Sequence, residues 1–371
     1  MRARAVARVN VAAIERNVAR LRGGLAGGAA LCAVVKADGY GHGAVATARA
    51  ALAGGATWIA VVAAAEAAEL RDAGIDARLL VMGALTPDEL ELALDASADI
   101  VVWREDVVAA LDRPARVHVK LDTGMGRLGT RDPDEATRVA AAVAGSPHLE
   151  LAGAMTHFAT ADEPGDAFFG EQLERFTAWA RPLRERHPGL VVHAANSAAT
   201  LREPRAHFDM VRAGIAIYGL DPFQDDAAGH GLEPALELLS YVAEVKPCAP
   251  GESAGYGRRF VADRPTMLAT VPIGYGDGVR RALSDNADVL VGGRRRPLRG
   301  TVSMDNITLD AGADARGVAP GADAVLIGAQ GGERVTAEEW ARRMSTINYE
   351  VTCAISRRVP REHHRDGVAL R

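Results

Sequence analysis

The chain has 371 residues, of which 48% are hydrophobic and 25% charged, with a formal net charge of -5. This is the composition of a globular protein with room for one large domain and a smaller one, and it has neither the basic footprint of a nucleic-acid binder nor a block of like charge. Cys32, Cys248 and Cys353 stand far apart with no CxxC or Cys/His spacing, which argues against a disulfide framework and a structural metal and fits a reducing cytoplasm.

Val11, Ile14, Val18 and Leu21 recur at helical spacing before Gly23 and Gly24, so a helix is predicted near the start of the chain. Eight short runs then read as strands: Leu31–Val35, Trp58–Val62, Leu79–Met82, Ile100–Val102, Val117–Leu121, Leu149–Met155, Leu190–His193 and Phe208–Val211. Amphipathic helical patterns lie between them, at Glu66–Arg71, at Asp88–Leu94 and through Phe169, Leu173, Phe176, Ala180 and Leu183. Eightfold alternation of strand and helix predicts an α/β fold, a TIM-like (β/α)8 barrel. The longest apolar run, Trp58–Ala65, is too short to cross a bilayer.

Beyond about residue 235 the pattern changes. Strands are predicted at Leu239–Val245, Met267–Ile273, Val289–Val291, Ile307–Leu309 and Ala324–Ile327, with one short helix over Ala337–Met344. We therefore expect a barrel over 10–235 and a mostly β domain over 236–371, joined by the turn-rich stretch Asp221–Gly231, with residues 1–9 able to pair with the second domain.

The cations are skewed. Of 43 Lys and Arg, only Lys36, Lys120 and Lys246 are Lys, leaving 40 Arg. A Lys kept against such a bias is a candidate for chemistry that a guanidinium cannot do, because only the ammonium readily loses its proton. Lys246 lies beside Pro247 at a strand end and reads as a surface cation.

Active sites of this barrel fold sit at the C-terminal ends of the strands. Lys36 follows the first strand, Arg127 the fifth, His157 the sixth, Asn196 and Ser197 the seventh, and Arg212 the eighth. These groups are expected to converge on one mouth. A partly desolvated Lys36 among cations would favour its neutral amine, the form that attacks an aldehyde. The backbone N–H groups of Gly214 and Ile215, with Ser197, lie where barrels commonly bind phosphate. A phosphate held there and an aldehyde at Lys36 describe pyridoxal phosphate.

The motifs AVVKADGYGHG, KLDTGMGRLG, THFA, ANSA, VRAGIAIYG, GYGRRF, PIGYGDG, TVSMD and INYE, in this order over most of the chain, resemble those of alanine racemases, fold-type III pyridoxal-phosphate enzymes. The resemblance implies a cytoplasmic homodimer with shared active sites that interconverts L- and D-alanine for peptidoglycan, with no metal, membrane or nucleic acid involved. It implies that Lys36 anchors the cofactor and is one catalytic base, with Tyr256 from a partner subunit as the other. Two bases suit racemisation, since a planar α-carbon must lose a proton on one face and regain it on the other.

By the same resemblance Arg212 faces the pyridine nitrogen, and His157 links it to Tyr256. Arg127 meets the substrate carboxylate and the cofactor's phenolic oxygen. Tyr40, Ser197, Gly214, Ile215 and Tyr349 hold the phosphate, and Tyr349 also narrows the entrance with Tyr256. Met304 offers a backbone N–H to the substrate beside Asp305, while Tyr275 and Asp162 line the access corridor. Lys120 matches a position that can be carbamylated to orient Arg127; as an ordinary cation it would instead pair with an acid such as Asp122. Thr301 departs from the family, where many members carry Arg, which alters the charge of the corridor.

Three other functions make different demands on the sequence. A broad-specificity racemase would carry a smaller residue at Tyr349. A decarboxylase of this architecture would place an acid at the ring nitrogen, where Arg212 stands, and a catalytic Cys in the β domain. A cofactor-binding protein without turnover would need neither the second domain nor Tyr256.

Overall fold

The structure, a computed structural model, describes residues 3–370. Met1, Arg2 and Arg371 lie outside the described residues. The first described strand, β1 (Val6–Asn10), leads directly into the helix Val11–Gly23, capped by Asn10 through its side chain and the Ala12 N–H. Val11, Ile14, Val18 and Leu21 are buried on one face of that helix.

Eight strands then form a closed parallel barrel: β2 (Ala30–Val34), β3 (Trp58–Val61), β4 (Arg78–Val81), β5 (Asp99–Val102), β6 (Ala115–Lys120), β7 (Leu149–Met155), β8 (Val191–His193) and β9 (Met210–Ala213). The seam closes where β2 pairs with β9, setting Cys32 beside Arg212. These strands are apolar on both faces because one face fills the barrel and the other meets the helices. The helix Phe168–Arg186 shows this pairing of pattern and packing, with Phe169, Leu173, Phe176, Ala180 and Leu183 all buried.

The rest of the chain forms sheets: β10 (Leu236–Tyr241), β11 (Glu244–Cys248), β12 (Ser253–Ala254), β13 (Phe260–Val261), β14 (Thr266–Val271), β15 (Asp288–Val291), β16 (Arg294–Pro297), β17 (Ile307–Gly312), β18 (Asp323–Gln330), β19 (Glu333–Val335), β20 (Arg361–Arg365) and β21 (Val368–Ala369). The larger sheet runs β16-β15-β18-β10-β1-β20-β21, so the first strand of the chain sits between two strands of the C-terminal part. A smaller sheet runs β11-β14-β17, and β12 pairs with β13.

Several elements differ from the sequence reading. The single strand expected over Leu239–Val245 is two strands in two sheets. Its chain changes partner between Val242, whose N–H bonds Ala322 O, and Ala243, whose N–H bonds Thr270 O. The eighth barrel strand starts at Met210 rather than Phe208, because Phe208 has a φ of 46° and cannot lie in extended backbone. β1 and β20 carry no alternating apolar signal strong enough to find them. The stretch Asp221–Gly231 is also more ordered than a linker. Buried Asp221 accepts from the N–H groups of Phe223 and Asp225, and its carbonyl accepts from Asn348 Nδ2.

Candidate active site

A cleft of about 320 Å³ opens at the C-terminal ends of the barrel strands, lined by Lys36, Tyr40, Arg127, His157, Asn196, Ser197, Arg212, Gly214, Ile215 and Tyr349. The strand-end groups identified in the sequence thus do converge. Val34, Ala37, Met82 and Cys353 complete the lining. Met82 ends an apolar run and Cys353 lies in a C-terminal helix, so neither carries a signal that sequence alone could have read as part of a site.

Lys36 is half-buried at the end of β2. Its ammonium is held below the usual lysine range by desolvation and then by the positive charge of Arg127. The Tyr40 ring centroid lies 6.0 Å from Lys36 Nζ. Burial pushes the phenols of Tyr40 and Tyr349 up, so both remain hydroxyl donors at neutral pH. Their rings are 5.9 Å apart, and Tyr349 therefore forms one wall of the same cleft.

On β9, which pairs with β2, the chain leaves the barrel through Gly214. A Cβ added there would come within 2.5 Å of Tyr40 Oη, so only glycine lets this turn approach the ring. Ser197 Oγ accepts from the N–H groups of Gly214 at 2.9 Å and Ala216 at 3.3 Å. Asn196 caps the helix Ser197–Arg202, its Oδ1 accepting from Ala199 N–H at 3.0 Å. Hydroxyls and backbone amides therefore gather at one end of the cleft.

Arg212 is buried at the cleft floor, and burial pushes its guanidinium down to about 10. It donates to Thr156 O at 2.8 Å and Ala194 O at 3.0 Å, with His193 Nδ1 at 2.8 Å and His157 Nδ1 at 3.3 Å. Burial, then the charge of Arg212, holds His157 well below the usual histidine range, so the ring is neutral.

Behind Arg212 runs a chain that sequence reasoning missed. His193 Nε2 lies 2.8 Å from His118 Nδ1, and His118 Nε2 lies 3.0 Å from Asp99 Oδ2. Burial raises the carboxyl of Asp99, but hydrogen bonds from His118, Arg78 and Arg116 win and hold it low. The only trace in the sequence is a His inside each of two apolar strands, at VHV and VVH.

Lys120 ends β6 with 5% of its surface exposed, and its amine is pushed down to about 8 by burial and then by Arg212 and Arg127. It does not pair with Asp122, as an ordinary cation at this position was expected to. That carboxylate instead accepts from Gly124 and Gly126 N–H groups and from Arg131. Arg127 likewise lacks a carboxylate within ion-pair distance among the described residues.

Tyr256, Met304 and Tyr275 do not line this cleft. They are 73%, 51% and 44% exposed. Their loops are joined: Thr301 Oγ1 donates to Tyr256 O at 2.8 Å, Tyr275 N–H to Ser303 O and Gly276 N–H to Met304 O. Asp305 is tied to Arg358 at 2.6 Å, and Asp162 is exposed.

Comparison with known proteins shows the family. The family description "Alanine racemase, N-terminal domain" matches residues 9–222, and "Alanine racemase, C-terminal domain" matches residues 235–363. The chain is 42% identical over 363 residues to an alanine racemase of Symbiobacterium thermophilum, covering 96% of each protein. It is 44% identical over 369 residues to one of Thermobifida fusca, covering 96% of this chain and 97% of that protein. Among solved structures it resembles alanine racemase from E.faecalis, with a TM-score of 0.91, 37% identity and 98% of each chain covered. It also resembles the Bacillus anthracis alanine racemase with bound L-Ala-P, with a TM-score of 0.91, 36% identity, and 100% of this chain and 97% of that one covered.

Proposed function

The chain belongs to the alanine racemase family, and we propose that its barrel-mouth cleft is where L- and D-alanine are interconverted, with Lys36 and the Tyr256 of a second subunit as the two bases. It is an isomerase of a family that depends on pyridoxal 5'-phosphate and supplies D-alanine for the cell wall. No helix among the described residues is long and apolar enough to cross a membrane, and we place the enzyme in the cytoplasm.

The residues present suit that cofactor. A half-buried amine with a lowered proton affinity shares one cleft with a glycine turn, three hydroxyls and backbone amides. When bound, pyridoxal phosphate offers an aldehyde that an amine can capture and a conjugated ring that draws electron density from the substrate's α-carbon. Lys36 would hold the aldehyde carbon, while Tyr40, Ser197, Tyr349 and the N–H groups of Gly214 and Ile215 would hold the phosphate, with Asn196 beside them. Arg212 would meet the ring nitrogen. A guanidinium keeps its proton, so the ring remains a weaker electron sink, and decarboxylation and transamination are restrained.

Lys36 Nζ would move the α-proton on one face and Tyr256 Oη on the other. Exposed Tyr256, Tyr275 and Met304 form one connected surface on the C-terminal domain, which supports a homodimer in which each subunit completes the other's cleft. His157, between Arg212 and the open cleft, would meet the incoming Tyr256. Arg127 and the Met304 backbone would orient the substrate carboxylate. A carbamate on Lys120 would give Arg127 the anionic partner it lacks.

The observation that carries this reading is Lys36 itself, an amine of lowered proton affinity at a strand end, in one cleft with the glycine turn. Purified protein incubated with each L-amino acid, followed by chiral separation, should yield D-alanine and little else. Borohydride should leave an adduct at Lys36. Absence of both D-alanine and the adduct would overturn the reading.

A further inference from the structure

Five residues in a row after Lys36 have positive φ, and the first four form its turn: Ala37 at 53°, Asp38 at 52°, Gly39 at 61° and Tyr40 at 53°. With ψ values of 52°, 49° and 44° for the first three, this is a turn of left-handed helix, and only one of its residues is glycine. For L-residues such a turn crowds each Cβ against the following carbonyl, so it persists only where its surroundings over-determine it. Its far end is well held. Asp38 Oδ1 accepts from Ala44 N–H at 3.0 Å, and Gly41 O accepts from Arg361 Nε at 2.9 Å.

Its near end, next to Lys36, is held by one side chain from another strand unit. Ala37 N–H donates to Glu66 Oε1 at 2.6 Å. The other oxygen of Glu66 accepts from the N–H groups of Val62 at 3.0 Å and Ala63 at 3.1 Å, where β3 gives way to the helix Ala64–Asp72. One carboxylate therefore both caps that helix and ties the strained turn to the neighbouring barrel strand. A plain capping role would need only the second oxygen. Glu66 does not line the cleft, so it would touch neither cofactor nor substrate.

We propose that Glu66 is a positioning residue that holds the left-handed turn Ala37–Tyr40, and through it sets Lys36 and Tyr40 in the geometry that captures the cofactor. This rests on the reading above that Lys36 and Tyr40 are cofactor ligands. The turn has Lys36 at its start and Tyr40 at its end. An untied Ala37 amide would let the turn relax toward ordinary backbone and move the amine relative to the ring.

Glu66→Gln retains an oxygen for the Val62 and Ala63 amides and sets an NH2 group against the Ala37 N–H. Titration of cofactor-free protein with pyridoxal phosphate, followed by visible absorbance, should show binding weakened about 10-fold, the effect of losing one charge-assisted hydrogen bond. The melting temperature should change little. Ala37→Gly in the Glu66→Gln background should recover most of the loss, because glycine takes positive φ without a Cβ clash. Affinity within about two-fold of the parent in Glu66→Gln, or a loss that Ala37→Gly does not relieve, would overturn the role of Glu66. Should Glu66→Gln not fold, hydrogen exchange of the Ala37 amide in the unaltered protein decides the matter: protection supports the tie and fast exchange refutes it. Failure of the unaltered protein to form the Lys36 adduct would instead remove the underlying reading, and this role with it.

Discussion

Arg212 Nη1 lies 2.8 Å from His193 Nδ1, and this contact fixes the tautomer of two buried histidines. A guanidinium only donates, so His193 Nδ1 accepts and its Nε2 carries the proton. That proton points at His118 Nδ1, which must accept, leaving His118 Nε2–H to donate to Asp99. Each group in the chain gives and takes as its chemistry allows only while both rings are neutral. The guanidinium expected at the cofactor nitrogen is thus braced through the barrel interior by an acid held on the far side by Arg78 at 2.9 Å and Arg116 at 2.6 Å.

Acid should therefore dismantle the fold early. His118, His157 and His193 all titrate below the free value of 6.5 because burial disfavours their charge, and burial pushes His42 down to about 4. These rings are neutral in the native state. Above pH 6.5 they cost nothing, and as pH falls the unfolded chain takes up protons that the native chain refuses. Stability is lost from about pH 6.5 downward, by at most about 1.4 kcal/mol per pH unit for each ring that stays neutral in the native state. Melting temperatures measured from pH 7 to 4.5 should fall steeply. A flat profile over that range would contradict neutral native histidines.

How much of this was legible in the sequence depended on where each residue sits along its strand. Lys36, Arg127, His157, Asn196, Ser197 and Arg212 were visible because a polar group directly after an apolar run marks a barrel mouth. Asp99 starts β5, His118 lies inside β6 and His193 is the last residue of β8; a polar residue counted within a strand does not reveal whether it faces the barrel interior, and the partners that make them meaningful are 19 and 75 residues apart. β1 was legible only as residues 1–9 able to pair with the second domain, which they do from Val6 onward, and not as a strand with bounds. Its pattern VARVN is half polar, and only pairing with β10 and β20, both far along the chain, makes it a strand. The left-handed turn after Lys36 is not announced by its first residue, since alanine does not favour positive φ; Asp38 is of a type that tolerates it, but a lone Asp does not mark a four-residue turn.

Lys120 should react with carbon dioxide. Its amine, pushed down to about 8, is substantially neutral at mildly alkaline pH, which is the reactive form. Carbon-13 bicarbonate added at pH 8 should produce a carbamate resonance that is missing from Lys120→Met. That variant should show KM for alanine raised about 10-fold, with a smaller change in kcat, through loss of the group that orients Arg127. No resonance and an unchanged KM would leave Lys120 as a buried amine only.

Tyr349 should set the size of the substrate. It walls the cleft beside Tyr40, with the two rings 5.9 Å apart. Replacing it by Ala should admit longer aliphatic amino acids and weaken the preference for alanine by about 10-fold or more, since a methylene in such a site is worth about 1–3 kcal/mol. Racemisation assays with alanine and 2-aminobutyrate check this. A variant equally slow on both substrates, with their ratio unchanged, would show that the wall lies elsewhere.

Lys36 lines the cleft while Tyr256 is 73% exposed and outside it, as the proposed pair of bases drawn from two different chains requires. Mixing Lys36→Ala and Tyr256→Ala proteins, each inactive alone, decides this most directly, because random exchange gives hybrid dimers in which one of the two clefts keeps both residues. Activity should return to about a quarter of the unaltered level at equal mixing, half the dimers being hybrids with one intact site each. Proven subunit exchange without any return of activity would contradict a site built from Lys36 of one subunit and Tyr256 of the other.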